Sequence, residues 1–471
     1  MKIRLKNIGI ISDSSLEIKG LTVITGHNNS GKTTVGKVIY SLIDAVSNIQ
    51  QKSRNDRYHY ALAELDKANE EFSFRYSLKH GKDEIPNECL HIFFSENFSD
   101  DIDEEGIELY IRDLISELGK LNLHNEPYQS ILEKYSHRQR LNQHSYMDTF
   151  EQEKANAVSI LENALFHITR DPELINYTRQ SISATLSVEF SGQIQPAALA
   201  DVSSAIEVTD NDRLCFKIIL HDNKICDSDT PVFESSPYKR AFFIDNPFIL
   251  DEPAFRKVTR YTTANLSYVN ESRILTHDNK LKFILNAQNT RSIFEEEIID
   301  EHYKKIKEKI DYILPGNFTF SDGDRFYVCN NIKLKTSNLA TGSKMFSIIK
   351  MLLEKGEIDK NTILILDEPE AHLHPKWQNM FAEILILLIK EIGCHILLTT
   401  HSPNFMLALD AYMRKYEAVE LCNFYQTKHN ENSPFVSYKC VNNCMDTIYE
   451  DFVSFLSDMK NLRNIYMHEQ E

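Results

Sequence analysis

The chain has 471 residues, 42% hydrophobic and 26% charged, with a formal net charge of −17. That is the composition of an ordinary globular protein with room for one large domain or two to three smaller ones. The acidity argues against a surface coated all over with nucleic acid, though a local basic patch is compatible with it.

The start, Met1-Lys-Ile-Arg-Leu-Lys6, lacks the apolar run and cleavage site of a signal peptide, and Ile384–Ile389 is too short to span a bilayer. Eight cysteines, at 89, 215, 226, 329, 394, 422, 440 and 444, show no tight framework. They read as reduced thiols, and the expectation is a cytosolic protein. Cys440 and Cys444 are the one close pair; no second ligand pair follows to complete a zinc site.

In chain order, Ile3, Leu5, Ile8, Ile10, Leu16 and Ile18 mark short strands, and Leu21–Thr25 reads as a fully buried one. Gly26–Gly31 is a loop. A helix should follow with Val35, Val38, Ile39, Leu42 and Ile43 on one face. Residues 1–60 hold nine Lys/Arg against four Asp/Glu, so this end is locally positive. Residues 100–117 hold eight acidic residues and one Arg. Residues 103–185, nearly free of Gly and Pro, read as helical, either an arm or a subdomain; the apolar spacing is too irregular for a long coiled coil. Strand character returns over 186–250, at Phe216–Leu220 and Ala241–Ile244. Residues 270–312 look helical. Leu364–Leu366 and Ile396–Thr400 are buried strands flanking a helix at 376–391, and that alternation indicates a parallel sheet. Thr447–Met467 is amphipathic, a capping helix or a partner-binding one.

Three motifs carry chemistry. Gly26-His-Asn-Asn-Ser-Gly-Lys-Thr33 is a complete phosphate loop. Its amides and the helix behind it favour an anion. Gly26, Asn28, Asn29, Ser30, Gly31, Lys32, Thr33 and Thr34 are the candidate nucleotide-binding residues, with Lys32 on the β- and γ-phosphates and the Thr33 hydroxyl on Mg²⁺. The pattern arises by accident in roughly 2% of chains of this length. The second motif is Ile363-Leu-Ile-Leu-Asp367-Glu368-Pro369, a strand ending in two carboxylates. Asp367 can hold Mg²⁺ and Glu368 can polarise the attacking water. The third is Thr399-Thr-His401-Ser-Pro403, which places His401 at a strand's carboxyl end, on the ligand side of an open α/β sheet.

Together these motifs resemble the ABC-type ATPase heads of the SMC, RecF and OLD proteins. Asp367-Glu-Pro-Glu-Ala-His-Leu-His-Pro375, Trp377-Gln378 and Thr400-His-Ser-Pro403 are most like the OLD branch. The resemblance covers roughly 1–90 and 240–410 and implies an α/β fold: a P-loop head of mixed or parallel sheet flanked by helices, with an inserted helical subdomain or arm. The expected divisions are the first part of the head at 1–99, the insertion at 100–185, the rest of the head at 186–410 and a C-terminal extension at 411–471.

The family's signature motif, which caps the γ-phosphate on a partner head, would fall at Asn338-Leu-Ala-Thr-Gly-Ser-Lys344, with Thr341, Gly342 and Ser343 touching ATP. Ala340 stands where most members have Ser, which points to slow hydrolysis. The Gln that usually senses Mg²⁺ is not evident; the strand ending Ile244-Asp245-Asn246-Pro247 occupies its place.

OLD proteins carry a metal-dependent nuclease domain, but the stretch after His401 has no Asp-x-Asp, and His124, His137 and His144 sit on a polar stretch. The resemblance therefore implies a stand-alone ATPase, most like that of Septu antiphage systems (PtuA) and secondly that of PARIS-type systems, working as a homo-oligomer with a separate HNH-type nuclease subunit. The alternative is a RecF-like repair ATPase that binds DNA directly.

Overall fold

The computed structural model describes residues 1–71, 104–120, 143–170, 173–197, 202–226, 232–233, 236–252, 276–287, 293–321, 324–429 and 433–442. The chain divides into two compact units, one of 1–48, 175–259 and 274–471, the other of 49–174 and 260–273.

The strands are β1 (Lys2–Ile8), β2 (Ile11–Glu17), β3 (Leu21–Thr25), β4 (Ser204–Asp210), β5 (Arg213–His221), β6 (Lys224–Ile225), β7 (Val232–Phe233), β8 (Arg240–Ile244), β9 (Asn317–Ser321), β10 (Asp324–Cys329), β11 (Ile332–Lys335), β12 (Thr362–Asp367), β13 (His395–Thr400), β14 (Cys422–His429) and β15 (Val436–Cys440). The helices are α1 (Lys32–Val46), α2 (Ile49–Glu71), α3 (Glu104–Lys120), α4 (Gln143–Thr169), α5 (Leu174–Glu189), α6 (His277–Asn286), α7 (Ile293–Ile313), α8 (Thr341–Glu354), α9 (Pro375–Leu387) and α10 (Pro403–Lys415).

The first unit is built on one large mixed sheet, in the order β6-β5-β4-β1-β2-β15-β14-β3-β13-β12-β8, with β7 beside β5. From β14 to β8 the strands are parallel. From β2 through β6 the neighbours are antiparallel. The α/β class, with a mixed sheet flanked by helices, is as the sequence leads one to expect.

The parallel strands are apolar throughout because each face meets a different core. Leu21, Val23, Leu364, Leu366, Ile396 and Leu398 point one way, onto Phe346, Phe381 and Phe405 of α8, α9 and α10. Ile24, Ile363, Ile365 and Leu397 point the other way, onto Val35, Val38, Ile39, Leu42 and Ile43 of α1, the face read from the sequence. Gly36 lets α1 lie close to β12, since a Cβ there would meet Ile365 Cγ2 at 2.8 Å. Each fully buried Leu, Ile or Phe in these layers stabilises the fold by about 1.5–3 kcal/mol relative to exposure.

Three boundaries differ from the sequence reading. β14 and β15, placed in a C-terminal extension, are strands of the main sheet, and β14 pairs with β3 from Cys422↔Leu21 to Gln426↔Thr25. In the other direction, α5 ends inside the first unit, where Ile182 and Leu186 join the core under α1. Thr447–Met467 lies outside the described residues, as do Cys89, Cys444, His124 and His137. Cys440 is an exposed free thiol.

The second unit takes in α2, so it begins at residue 49 rather than near 100. Its core is Ala61, Leu65 and Ala68 of α2, Ile107, Ile111, Leu114 and Leu118 of α3, and Ala157, Leu161 and Ala164 of α4. These fall at the three- and four-residue spacing of helix faces, with alanines admitting close approach. Arg57 Nη1 donates to Ile168 O and Arg170 O at 3.0 Å each, satisfying carbonyls at the end of α4. No helix among the described residues is long and apolar enough to cross a membrane.

Candidate functional site

The parallel strands end on one side of the sheet, where a ligand meets an open α/β fold. β3 ends at Thr25, and the phosphate loop turns there into α1. Gly26 has no room for a side chain: a Cβ would lie 1.8 Å from Thr427 Oγ1 on β14. Gly31 caps α1 in the left-handed region, φ 74°, where glycine is favoured. No side chain among the described residues caps this helix; the Thr34 amide turns back to Gly31 O at 3.1 Å, which leaves the Lys32 and Thr33 amides for an anion. α10 differs, being capped by Ser402, whose hydroxyl accepts from Phe405 N at 3.3 Å.

Within the loop, Ser30 Oγ donates to His27 O at 2.7 Å. Lys32 is 5% exposed, and its ammonium donates to Gly26 O at 3.0 Å and His27 O at 2.9 Å. These contacts fold the lysine back across the loop. Asn28 and Asn29 are exposed, and Asn29 takes a left-handed φ of 60°. Thr34 lies against Gly9 in the β1–β2 turn, its Oγ1 3.3 Å from where a Cβ would stand.

β12 and β13 bring the second and third motifs to this loop. Thr33 Oγ1 donates to Asp367 Oδ2 at 2.7 Å, and Thr399 Oγ1 donates to Asp367 Oδ1. Burial pushes the Asp367 carboxyl above the ordinary aspartate range, against the opposing pull of the Thr399 and Thr33 hydroxyls. Glu368 takes a left-handed φ of 47°, held by its amide donating to Thr399 Oγ1 at 3.1 Å and Thr399 O at 3.2 Å. A non-glycine residue in that region is strained and persists where its surroundings over-determine it. The turn aims Glu368 Oε1 at Lys32 Nζ, 3.4 Å away, and His401 Nδ1, 3.1 Å away. Glu368 and His401 are part-exposed at 31% and 46%, open to a ligand.

Thr33 and Asp367 supply adjacent hard oxygens, the donor set Mg²⁺ takes while keeping several waters, so these residues fit the metal expected of them. Thr341, Gly342 and Ser343 open α8, which also lacks a side-chain cap. Among the described residues they take no part in the network of Lys32, Thr33, Asp367, Glu368 and His401. Gly342 instead packs where a Cβ would meet Trp377 at 3.1 Å and His372 O at 3.2 Å. Lys344, one turn on, ion-pairs with Asp251 and stands 5.2 Å from the Phe248 ring, which contacts His372 at 5.5 Å. The signature segment is thereby keyed to the turn that follows Glu368.

Four neighbours of the site were given no role of their own in the sequence reading. Thr399 holds both Asp367 and Glu368; its signal was its position in the Thr-Thr-His run. Thr427 and Tyr438 come from the C-terminal hairpin, with Tyr438 donating to Gly31 O at 2.8 Å, and no motif marks them. Glu370 is 1% exposed; Thr400 Oγ1 donates to its Oε1, while Oε2 has no hydrogen-bond partner among the described residues. Burial pushes its carboxyl upward. Asp245, in the segment that the sequence reading put in the place of the Mg²⁺-sensing Gln, follows β8, whose last residue Ile244 is opposite Leu366 of β12, so it stands beside Asp367 at the strand ends.

Among solved structures, the chain is similar to an SMC head bound to the C-winged helix domain of ScpA: 10% identity, 93% of this chain and 96% of that chain covered, TM-score 0.38. It is similar to the SMC head domain from Thermotoga maritima at 10% identity over 93% and 98%, TM-score 0.33. A third likeness is to the Smc head domain with an extended coiled coil derived from Pyrococcus furiosus, bound to the C-terminal domain of ScpA, at 10% identity over 98% of each chain, TM-score 0.29. None of the curated proteins matches the sequence. The family model described as the AAA ATPase domain matches residues 1–406, and the chain belongs to that family.

Proposed function

We propose that this member of the AAA ATPase domain family is the slow, ATP-hydrolysing regulatory subunit of a prokaryotic antiphage complex, whose engaged heads control a separate nuclease. The observation that carries the ATPase part is the convergence of Lys32, Thr33, Asp367, Glu368 and His401 at one end of the sheet. On binding ATP, Lys32 exchanges its loop carbonyls for the β- and γ-phosphate oxygens. The free amides behind Gly31 take the remaining phosphate charge. Mg²⁺, held by Thr33 and Asp367, would neutralise charge developing on the phosphates. Glu368, released from Lys32, accepts a proton from the attacking water, and His401 orients Glu368 through Nδ1.

The signature residues Thr341–Ser343 would act on the ATP of a second copy, through the uncapped start of α8. Without a hydroxyl at Ala340 this contact relies on backbone amides, which supports a gate rather than a motor. The regulatory reading rests on the resemblance to Septu-type ATPases, with an HNH-type nuclease as partner and ATP and Mg²⁺ as cofactors. Gel filtration of Glu368→Gln with and without ATP and Mg²⁺ tests head engagement; a monomer under every condition sinks it. Co-expression with a neighbouring HNH reading frame tests the partner, through ATP-dependent change in DNA cleavage. Direct DNA binding is the second reading, favoured by the exposed Lys2 and Lys6 on β1. Duplex affinity of the chain alone, falling steeply with salt, would replace the first reading with it.

A further inference from the structure

A second cluster of ligating side chains stands beside the nucleotide site. Asp245 at the end of β8 and His277 and Asp278 at the start of α6 each offer one atom, and the three atoms lie within 4.8 Å of one another. His277 Nε2 is 3.2 Å from Asp245 Oδ1 and 3.8 Å from Asp278 Oδ1. These are the separations of ligands that share one cation, about 3–4.3 Å when each bond is about 2.1 Å.

The histidine is built for such a role. It is 8% exposed, and its Nε2 is buried, has no hydrogen bond meeting the usual geometry among the described residues, and faces Asp245 Oδ1 at 3.2 Å. Its other nitrogen, Nδ1, is 2.7 Å from Glu189 Oε2, and Glu189 also accepts from the His277 amide at 2.8 Å. Glu189 is 4% exposed and fixes the imidazole at two points. Phe243, with its ring centroid 4.4 Å away, and Tyr40, at 5.9 Å, wall the ring in. A carboxylate on one imidazole nitrogen with the other aimed at acidic side chains is the outer-shell arrangement that orients a metal-binding histidine.

We propose that Asp245, His277 and Asp278 bind a first-row divalent cation, of the Mn²⁺, Fe²⁺ or Zn²⁺ class, in a site separate from the Mg²⁺ of the nucleotide. One imidazole and two carboxylates suit that class better than Mg²⁺ or Ca²⁺, which prefer oxygen throughout. The cation joins the start of α6 to the end of β8, the strand next to Asp367. It thus braces the wall of the nucleotide site whether or not ATP is bound.

The test uses the full chain, stripped with a chelator and free of nucleotide, titrated with Mn²⁺ and followed by electron paramagnetic resonance of the free ion. One equivalent per chain should bind, and Mn²⁺ should raise the melting temperature. Asp278→Asn, at a part-exposed position that disturbs the fold least, should weaken binding at least tenfold and remove that rise. His277→Gln should do the same, while Asp367→Asn should bind as the parent does. Absence of Mn²⁺ binding without nucleotide, undiminished binding by Asp278→Asn, or loss confined to Asp367→Asn would each overturn the assignment.

Discussion

Thr33 and Asp367, 334 positions apart in sequence, share a 2.7 Å hydrogen bond in which the phosphate-loop hydroxyl donates to the carboxylate at the end of β12. Thr399 holds the other oxygen of the same carboxylate. Thr399→Ala therefore leaves a buried acid with one partner. It should cost about 1–3 kcal/mol of stability and lower kcat, because Glu368 loses a hydroxyl that receives its amide. Denaturant unfolding and steady-state phosphate release measure the two effects.

Lys32, Glu368 and His401 form the chemical end of the proposed site. Glu368→Gln should lower kcat about 10²–10⁴-fold while nucleotide binding persists. His401→Ala should lower it roughly 10–100-fold by misplacing Glu368. Lys32→Ala should abolish binding, read with a fluorescent nucleotide. Normal turnover by Glu368→Gln would remove the general-base assignment.

The C-terminal hairpin should matter to nucleotide binding although it carries no motif. Tyr438→Phe deletes only the hydroxyl that donates to Gly31 O. It should cost about 1 kcal/mol and raise KM for ATP with less effect on kcat. A change in kcat alone would mean that the tyrosine does not shape the loop.

Glu370 gives a pH signature. Burial raises its carboxyl pKa in the folded state, so the folded chain binds the proton more tightly than the unfolded chain. Stability is then fullest below the ordinary glutamate pKa and declines as pH rises through the raised one. Glu370→Gln removes that decline. Its melting temperature should exceed the parent's near about pH 8, with the gap closing near about pH 4. Parallel pH profiles for the two proteins would contradict this.

The parallel half of the sheet was legible because buried strands read as continuous apolar runs. Leu21–Thr25, Leu364–Leu366 and Ile396–Thr400 all appear as β3, β12 and β13. The candidate site was legible where backbone demands fix residue type, as at Gly31 and the Asp367–Glu368 strand end. β14 was not, since Cys-Asn-Phe-Tyr-Gln-Thr carries polar residues in a strand whose neighbours are set by long-range pairing. α2 was not placed with α3 and α4 because its buried stripe is Ala61, Leu65 and Ala68, too small to stand out in a polar helix. Tyr438 and Thr427 meet the loop through sheet order alone, and local sequence does not encode sheet order. The same holds for His277, whose partners Glu189 and Asp245 come from distant segments.

The place of β14 has a consequence for how this chain is made. β3 lies between β13, which begins at residue 395, and β14, which begins at residue 422. During synthesis the strand bearing the phosphate loop emerges well before both neighbours and waits for them, on the order of tens of seconds at ordinary elongation rates. Until then it is an unpaired apolar edge, open to association with other chains. ATP can first find its complete loop only when β14 has left the ribosome, so until then the nascent chain is silent as an enzyme, and it is most exposed to aggregation over the same interval.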